Sequence, residues 1–95
     1  MKSQIINPET GRAVPNQFVI STKGGLYFKS YSTVVAFVPF NEERMVQLDR
    51  KYWNYSATTS KYLCIFLGKS NTHINNKVKL KLYKLCNLNG KKNRV

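Results

Sequence analysis

Thr33-Val34-Val35-Ala36-Phe37-Val38 is the most apolar run in the chain, and its reading decides the fold. Most of its residues are β-branched, and it is the length of a strand rather than of a helix. A run without polar alternation belongs in a strand covered on both faces. Pro39 ends it, because a proline has no N–H to give to a ladder. On the N-terminal side, Phe18-Val19-Ile20-Ser21-Thr22 and Leu26-Tyr27-Phe28-Lys29-Ser30-Tyr31 read as two strands around Gly24-Gly25, a hairpin signal. Alternation puts Leu26, Phe28 and Ser30 on one face of the returning strand and Tyr27, Lys29 and Tyr31 on the other. On the C-terminal side, Asn41-Glu42-Glu43-Arg44 is a polar loop and Met45-Val46-Gln47-Leu48-Asp49 a fourth strand candidate. Residues 1–17 read as an ordered arm or an edge, not as a core element. Asn7-Pro8-Glu9-Thr10-Gly11 is a turn within them, and Pro15 limits any helix.

Beyond residue 50 the pattern changes to helical. Tyr62, Ile65 and Phe66 fall at i, i+3 and i+4, with Thr59, Leu63 and Leu67 broadening the same face. Ser56, Thr58, Thr59 and Ser60 offer N-caps, and Gly68 sits where a helix-closing glycine belongs. The spacing predicts a helix over about 57–67. Thr72 can cap a second short helix over 73–80, where Ile74 and Val78 lie one turn apart. Val78, Leu80 and Leu82 also alternate with Lys77, Lys79 and Lys81, which is the strand period. A helix to about Leu80 followed by a strand over Leu82 to Leu88 is the favoured reading; a single strand over 77–88 competes with it. The expected fold is a single small α+β domain over residues 18–88. It is a mainly antiparallel sheet of four to five strands with one or two short helices on one face. Residues 89–95 form a basic C-terminal tail, expected to be mobile.

At 95 residues the chain has room for one core, since a second would need roughly another 50. An apolar content of 42% argues against disorder. No apolar run approaches the roughly 18 residues of a membrane span. The stretch Met1 to Pro8 lacks the apolar core of a signal peptide, so a soluble, cytoplasmic chain is expected. The net charge is +12, and it is unevenly placed: residues 1–49 carry +1 and residues 50–95, which hold no acid, carry +11. A one-signed field of that kind draws polyanions, of which nucleic acid is the commonest. Against this stands a chain with 12 Lys to 4 Arg, so the guanidinium forks that usually read bases and phosphates are scarce. The Lys and Asn richness is also what an AT-rich coding sequence produces.

Catalytic and metal chemistry find no pattern. His73 is the single histidine and has no orienting partner near it in sequence, so a surface position fits better than a general base. Cys64 and Cys86 are 22 residues apart without a second Cys or His pair, which is no zinc spacing. Cys64, among Leu63, Ile65 and Phe66, reads as a buried small residue, and a Cys64–Cys86 disulfide is disfavoured in a reducing compartment. The four acids do not cluster, Gly24-Gly25 lacks the Lys-Ser/Thr of a phosphate loop, and no cofactor is implied. Binding residues are easier to name. Arg50, Lys51, Lys61, Lys77, Lys79, Lys81 and Lys84 are the candidates for phosphate contact. Neutralising Lys77, Lys79 and Lys81 together should weaken binding and flatten its salt dependence. Tyr27, Tyr31, Tyr52, Trp53 and Tyr55 are candidates for stacking or for an interface. Each has the plainer alternative of core packing, which is preferred for Trp53.

Asp49-Arg50-Lys51-Tyr52-Trp53-Asn54-Tyr55-Ser56-Ala57-Thr58-Thr59-Ser60-Lys61-Tyr62, followed by Phe66-Leu67-Gly68, resembles small uncharacterised accessory proteins of tailed bacteriophages. Their recurring pattern is a strand, a Trp-Asx-Tyr-Ser stretch, a Thr-Thr-x-Lys-Tyr helix start and a Phe-Leu-Gly helix end. The hairpin Ile20 to Tyr31 and the helix start at Asn71-Thr72 fit it, and the resemblance covers about residues 18–88. Leu80-Lys81-Leu82 departs from the pattern, where acid and Gly residues are more usual. The resemblance implies no activity. It implies a location in the cytoplasm of an infected bacterium and makes inhibition of a host defence protein, in the manner of anti-CRISPR proteins, an alternative to nucleic-acid binding. With +12 the chain cannot mimic nucleic acid. Such an inhibitor would grip guide RNA, bound DNA or an acidic protein surface. Monomer and homodimer are both open.

Overall fold

Six short β-forming runs bond into one sheet, and the capped segment between the last two coils into a pair of helices. The structure is a computed structural model and describes residues 2–90. In chain order the elements are β1 (Lys2–Ile6), β2 (Ala13–Ser21), β3 (Gly25–Ser30), β4 (Thr33–Pro39), β5 (Gln47–Asp49), α1 (Ala57–Leu67), α2 (Asn71–Lys79) and β6 (Lys84–Cys86). Spatial order follows chain order from β1 to β6. The first five strands pair antiparallel and β6 pairs parallel to β5. A parallel neighbour needs a long crossover, which α1 and α2 provide. The α+β class stands as expected, with six strands instead of four or five and one parallel pairing.

Register explains the burial. Ser3, Val19, Phe28, Ala36, Leu48 and Leu85 stand in one row across all six strands. Leu63 of α1 and Ile74 of α2 close the main core over this row. The Phe66 ring stacks on Phe28 at 5.5 Å between centroids. Phe28 and Leu48 are completely enclosed, so truncating either to alanine costs about 2–5 kcal/mol. On the other face Val34, Phe37 and Leu88 form a smaller cluster with Tyr27 and Cys86 against it. The apolar run of β4 serves both faces through a bulge. Phe28 pairs with Ala36 and Lys29 with Val34, which leaves Val35 as the extra residue. Val35 therefore joins Ala36 in the main core while Val34 and Phe37 lie in the second cluster.

Both helices end on left-handed residues. Ser56 caps α1, its Oγ accepting from Thr59 N–H at 3.1 Å. Gly68, at φ 67, closes it, with the N–H groups of Gly68 and Lys69 bonded back to the carbonyls of Ile65 and Cys64. The same bonding closes α2, where Lys81 N–H reaches Val78 and Leu82 N–H reaches Lys77, but the left-handed residue is Lys81, at φ 60. A side chain there clashes with its own backbone where glycine does not. Lys81→Gly is thus expected to raise stability by about 1 kcal/mol, a gain of several degrees in Tm readable by thermal unfolding. Gly25 is fixed for another reason: a Cβ on it would run into the carbonyl of Val38 and the ring of Phe37.

Three expectations need correction. Residues 1–17 do hold a core residue: β1 is the edge strand, and Ile5 is buried in the main core. Pro15, which limits any helix here, lies within β2 where the β1–β2 register shifts between Gln4 and Ile6, a position that a proline tolerates. The cap of α2 is Ser70 rather than Thr72, accepting from His73 N–H at 3.1 Å, and β6 is shorter than the expected 82–88 strand. At the C-terminus, Asn89 does not behave as the start of a mobile tail. Its side-chain amide instead pairs with Val34 as a strand would, accepting from the N–H and donating to the carbonyl at 2.8 Å each. Residues 91–95 lie outside the described residues.

Candidate nucleic-acid interface

The loop that carries the basic and aromatic residues after β5 is built on one buried carboxylate. Asp49 is 2% exposed. Its Oδ2 accepts from the N–H groups of Lys51 and Tyr52 at 3.1 and 3.0 Å, and its Oδ1 from Leu88 N–H at 2.8 Å and Asn89 Nδ2 at 2.9 Å. Its own carbonyl accepts from Trp53 N–H at 3.0 Å. A carboxylate takes four donors without strain, so one side chain both folds the 50–53 turn and pins the C-terminal segment. Ser56 fixes the other end of the loop as the cap of α1. Sequence reasoning passed over Asp49 as an isolated acid.

Held this way, the loop meets the tip of the β3–β4 hairpin. Between them lies a cavity of about 320 Å³ walled by Tyr31, Tyr52 and Tyr55, with Ser30, Thr33, Val35, Ser56 and Thr59 completing it. The rings of Tyr52 and Tyr55 meet edge to face at 5.6 Å. Tyr31 and Tyr55 are 62% and 71% exposed, so two large aromatic surfaces remain open to a ligand. Tyr52 also forms the wall of an adjoining hollow of about 210 Å³ with Asp49, Arg50, Lys51 and Asn87. Lys51 Nζ stands 5.5 Å from the Tyr52 ring centroid. Aromatic faces and two cations thus share one wall.

This corner also stores strain. Tyr31 occupies the first position of the two-residue hairpin turn with φ 56, and its N–H bonds to the carbonyl of Asn16, itself at φ 63. Asn tolerates that conformation, whereas a tyrosine costs about 1–2 kcal/mol relative to the glycine usual in such turns. Gln17, paired across the strands with the cavity residue Ser30, is buried with its Oε1 unbonded. An orphaned acceptor costs about 1–3 kcal/mol. Strain of this kind concentrates at ligand sites.

The seven basic candidates do not form one patch. Arg50 and Lys51 flank the tyrosine cavity. Lys81 and Lys84 stand at the opposite end of β6, about 10 Å away for a strand of this length. They border an open apolar hollow of about 580 Å³ formed with Met45, Val78, Tyr83 and Leu85. Lys77 and Lys79 occupy the last turn of α2, where cations complement the helix dipole. Lys61 lies on the outer side of α1 near Ser60, Cys64 and Asn71, with its Nζ 5.5 Å from the Tyr62 centroid. Among the aromatic candidates, Tyr27 is taken up by packing on Phe37 at 4.4 Å, and Trp53 packs on the main core. The sequence pointed to Tyr31, Tyr52 and Tyr55 separately; only the fold brings them together.

A model of a family of unknown function (DUF8033) matches residues 1–81. The chain belongs to that family. The DUF8033 match includes every residue of the tyrosine cavity and both Arg50 and Lys51, while β6 and Asn89 lie after it. No curated protein and no solved structure matches the chain. Among the described residues, no three His, Cys, Asp or Glu side chains gather to hold a metal, and no helix is long and apolar enough to cross a membrane. Cys64 and Cys86 are free thiols packed on opposite faces of the sheet. Burial pushes both thiols, and the Tyr83 hydroxyl, above their ordinary pKa values. At neutral pH these groups stay protonated, which is not how a nucleophile is prepared.

Proposed function

We propose that the protein is a non-enzymatic accessory protein of the small phage type that binds nucleic acid, alone or within a nucleoprotein. The observation that carries this reading is the shared Tyr52 wall, with stacking surfaces on one side and Arg50 and Lys51 on the other. Beyond it the β6 edge continues the positive charge to Lys84. Phosphate contact by such groups releases counterions, so binding should fall steeply with salt. Fluorescence anisotropy with labelled single-stranded DNA, duplex DNA and RNA at 50 and 200 mM salt tests this. The expected result is binding that weakens strongly between the two salts yet persists at the higher one. No binding to any of the three at 50 mM salt would refute it.

One observation favours a second reading, a direct contact with a host defence protein. The hollow at the start of β6 is apolar, edged by Lys81 and Lys84, and Leu80 and Leu82 are exposed beside it in sequence. An acidic protein surface with an apolar centre suits it. That reading requires a complex with one host protein that survives nuclease treatment and moderate salt.

A further inference from the structure

We infer that the tyrosine cavity is a socket for one unstacked nucleobase, which makes the protein selective for single strands over duplex. This inference rests on the nucleic-acid reading above and adds the class of strand and the atoms that choose it. A duplex keeps its bases paired and stacked, and offers a protein surface its phosphates and groove edges. A single strand can splay a base out and lay it against aromatic rings. The cavity between Tyr31, Tyr52 and Tyr55 is about 320 Å³, at the lower end of the size of small-ligand sites. Its aromatic walls meet the π-faces of a base, and the hydroxyls of Ser30 and Thr33 border the cavity as hydrogen-bonding groups, while Ser56 Oγ is bonded to Thr59 as the cap of α1. Arg50 and Lys51, just across Tyr52, stand where the phosphates flanking an inserted base would pass.

The backbone supplies an independent reason. Nothing in the packing of the β3–β4 turn calls for a tyrosine at Tyr31: the side chain is mostly exposed and its φ is the one glycine adopts freely. A residue that the turn disfavours, kept exposed on a cavity wall, is explained by what it touches in the bound state. Gln17, the cross-strand neighbour of Ser30, adds a buried acceptor without a donor next to the cavity's lining.

The test uses Tyr31→Gly, which relieves the turn and so folds at least as well as the parent, and Tyr55→Ala, which removes a surface side chain. Each is titrated by anisotropy against a labelled 20-nucleotide single strand and the matching 20-base-pair duplex, at two salt concentrations. The unaltered protein should prefer the single strand. Loss of one stacking contact should weaken single-strand binding about five- to a hundredfold in each variant, with duplex affinity and the salt slope unchanged. Single-strand and duplex binding that fall together, or a Tyr31→Gly protein that binds the single strand as before, would overturn the socket while leaving the phosphate-binding reading intact. A parent protein that binds neither would overturn both.

Discussion

Replacing Asp49 with alanine should destabilise the fold by about 3–5 kcal/mol, the largest single effect expected in this protein outside the apolar core. Four donors converge on this carboxylate: two from the 50–52 turn, and two from Leu88 and Asn89. Alanine takes the carboxylate acceptor from the N–H groups of Lys51 and Leu88, and leaves Tyr52 N–H with the Asp49 carbonyl and Asn89 Nδ2 with the Val34 carbonyl, in a site that is almost closed to water. Each orphaned group costs about 1–3 kcal/mol, and the sum is reduced as the turn opens and water enters. The damage then spreads along two routes. Without Asp49 the Asn89 amide loses part of its hold on Val34, and Leu88 loosens over the second cluster. The 50–55 loop also loses its anchor, so Tyr52 and Tyr55 no longer face Tyr31. Asp49→Asn should cost less, because the remaining oxygen keeps two of the donors while its NH2 group opposes the other two. Urea unfolding of the three proteins measures the series. A loss below about 1 kcal/mol for the alanine variant would show that the carboxylate does not organise the loop.

The contrast between what the chain reveals and what it conceals follows from the range of the interactions. The ends of α1 are legible because Ser56 and Gly68 act on backbone groups within four residues of themselves. The central strand is legible because a run buried on both faces needs no partner to be recognised. The edge strand β1 is not, because only Ile5 of its five residues is buried, so it carries no alternation to read. The second helix was ambiguous since lysines at alternate positions satisfy both periods, and the choice was settled by packing of Ile74 into the core. The role of Asp49 was invisible in principle: its partners Leu88 and Asn89 are 39 and 40 residues away. The same holds for the tyrosine cavity, whose walls come from a hairpin tip and a loop that only the sheet brings together. Composition pointed only to polyanions as a class of partner. It could not show that the seven basic residues divide among separate faces.

That division makes the second large effect a comparison between two triple variants. Arg50→Gln, Lys51→Gln and Lys84→Gln together remove cations at the two ends of β6, beside the cavity and along the sheet edge. Lys77→Gln, Lys79→Gln and Lys81→Gln remove the same amount of charge around the end of α2. If the phosphates of a single strand run past Tyr52 and along β6, the first triple breaks three contacts. At about 0.7 counterions per phosphate, three contacts are worth about two decades of affinity at 0.1 M salt relative to 1 M, and the salt slope should fall by about 2. The second triple changes mainly the long-range field. It should slow association and reduce affinity severalfold, with a loss of less than 1 in the slope. Every substituted side chain but Lys77 is exposed, so both proteins should fold, with the α2 triple slightly destabilised by the loss of cations at its C-terminus. Anisotropy titrations over a salt series provide both numbers. Equal losses in the two triples would mean that only the total charge matters, and that the β6 edge is no path for the strand. A larger loss in the α2 triple would move the phosphate path to Lys77, Lys79 and Lys81.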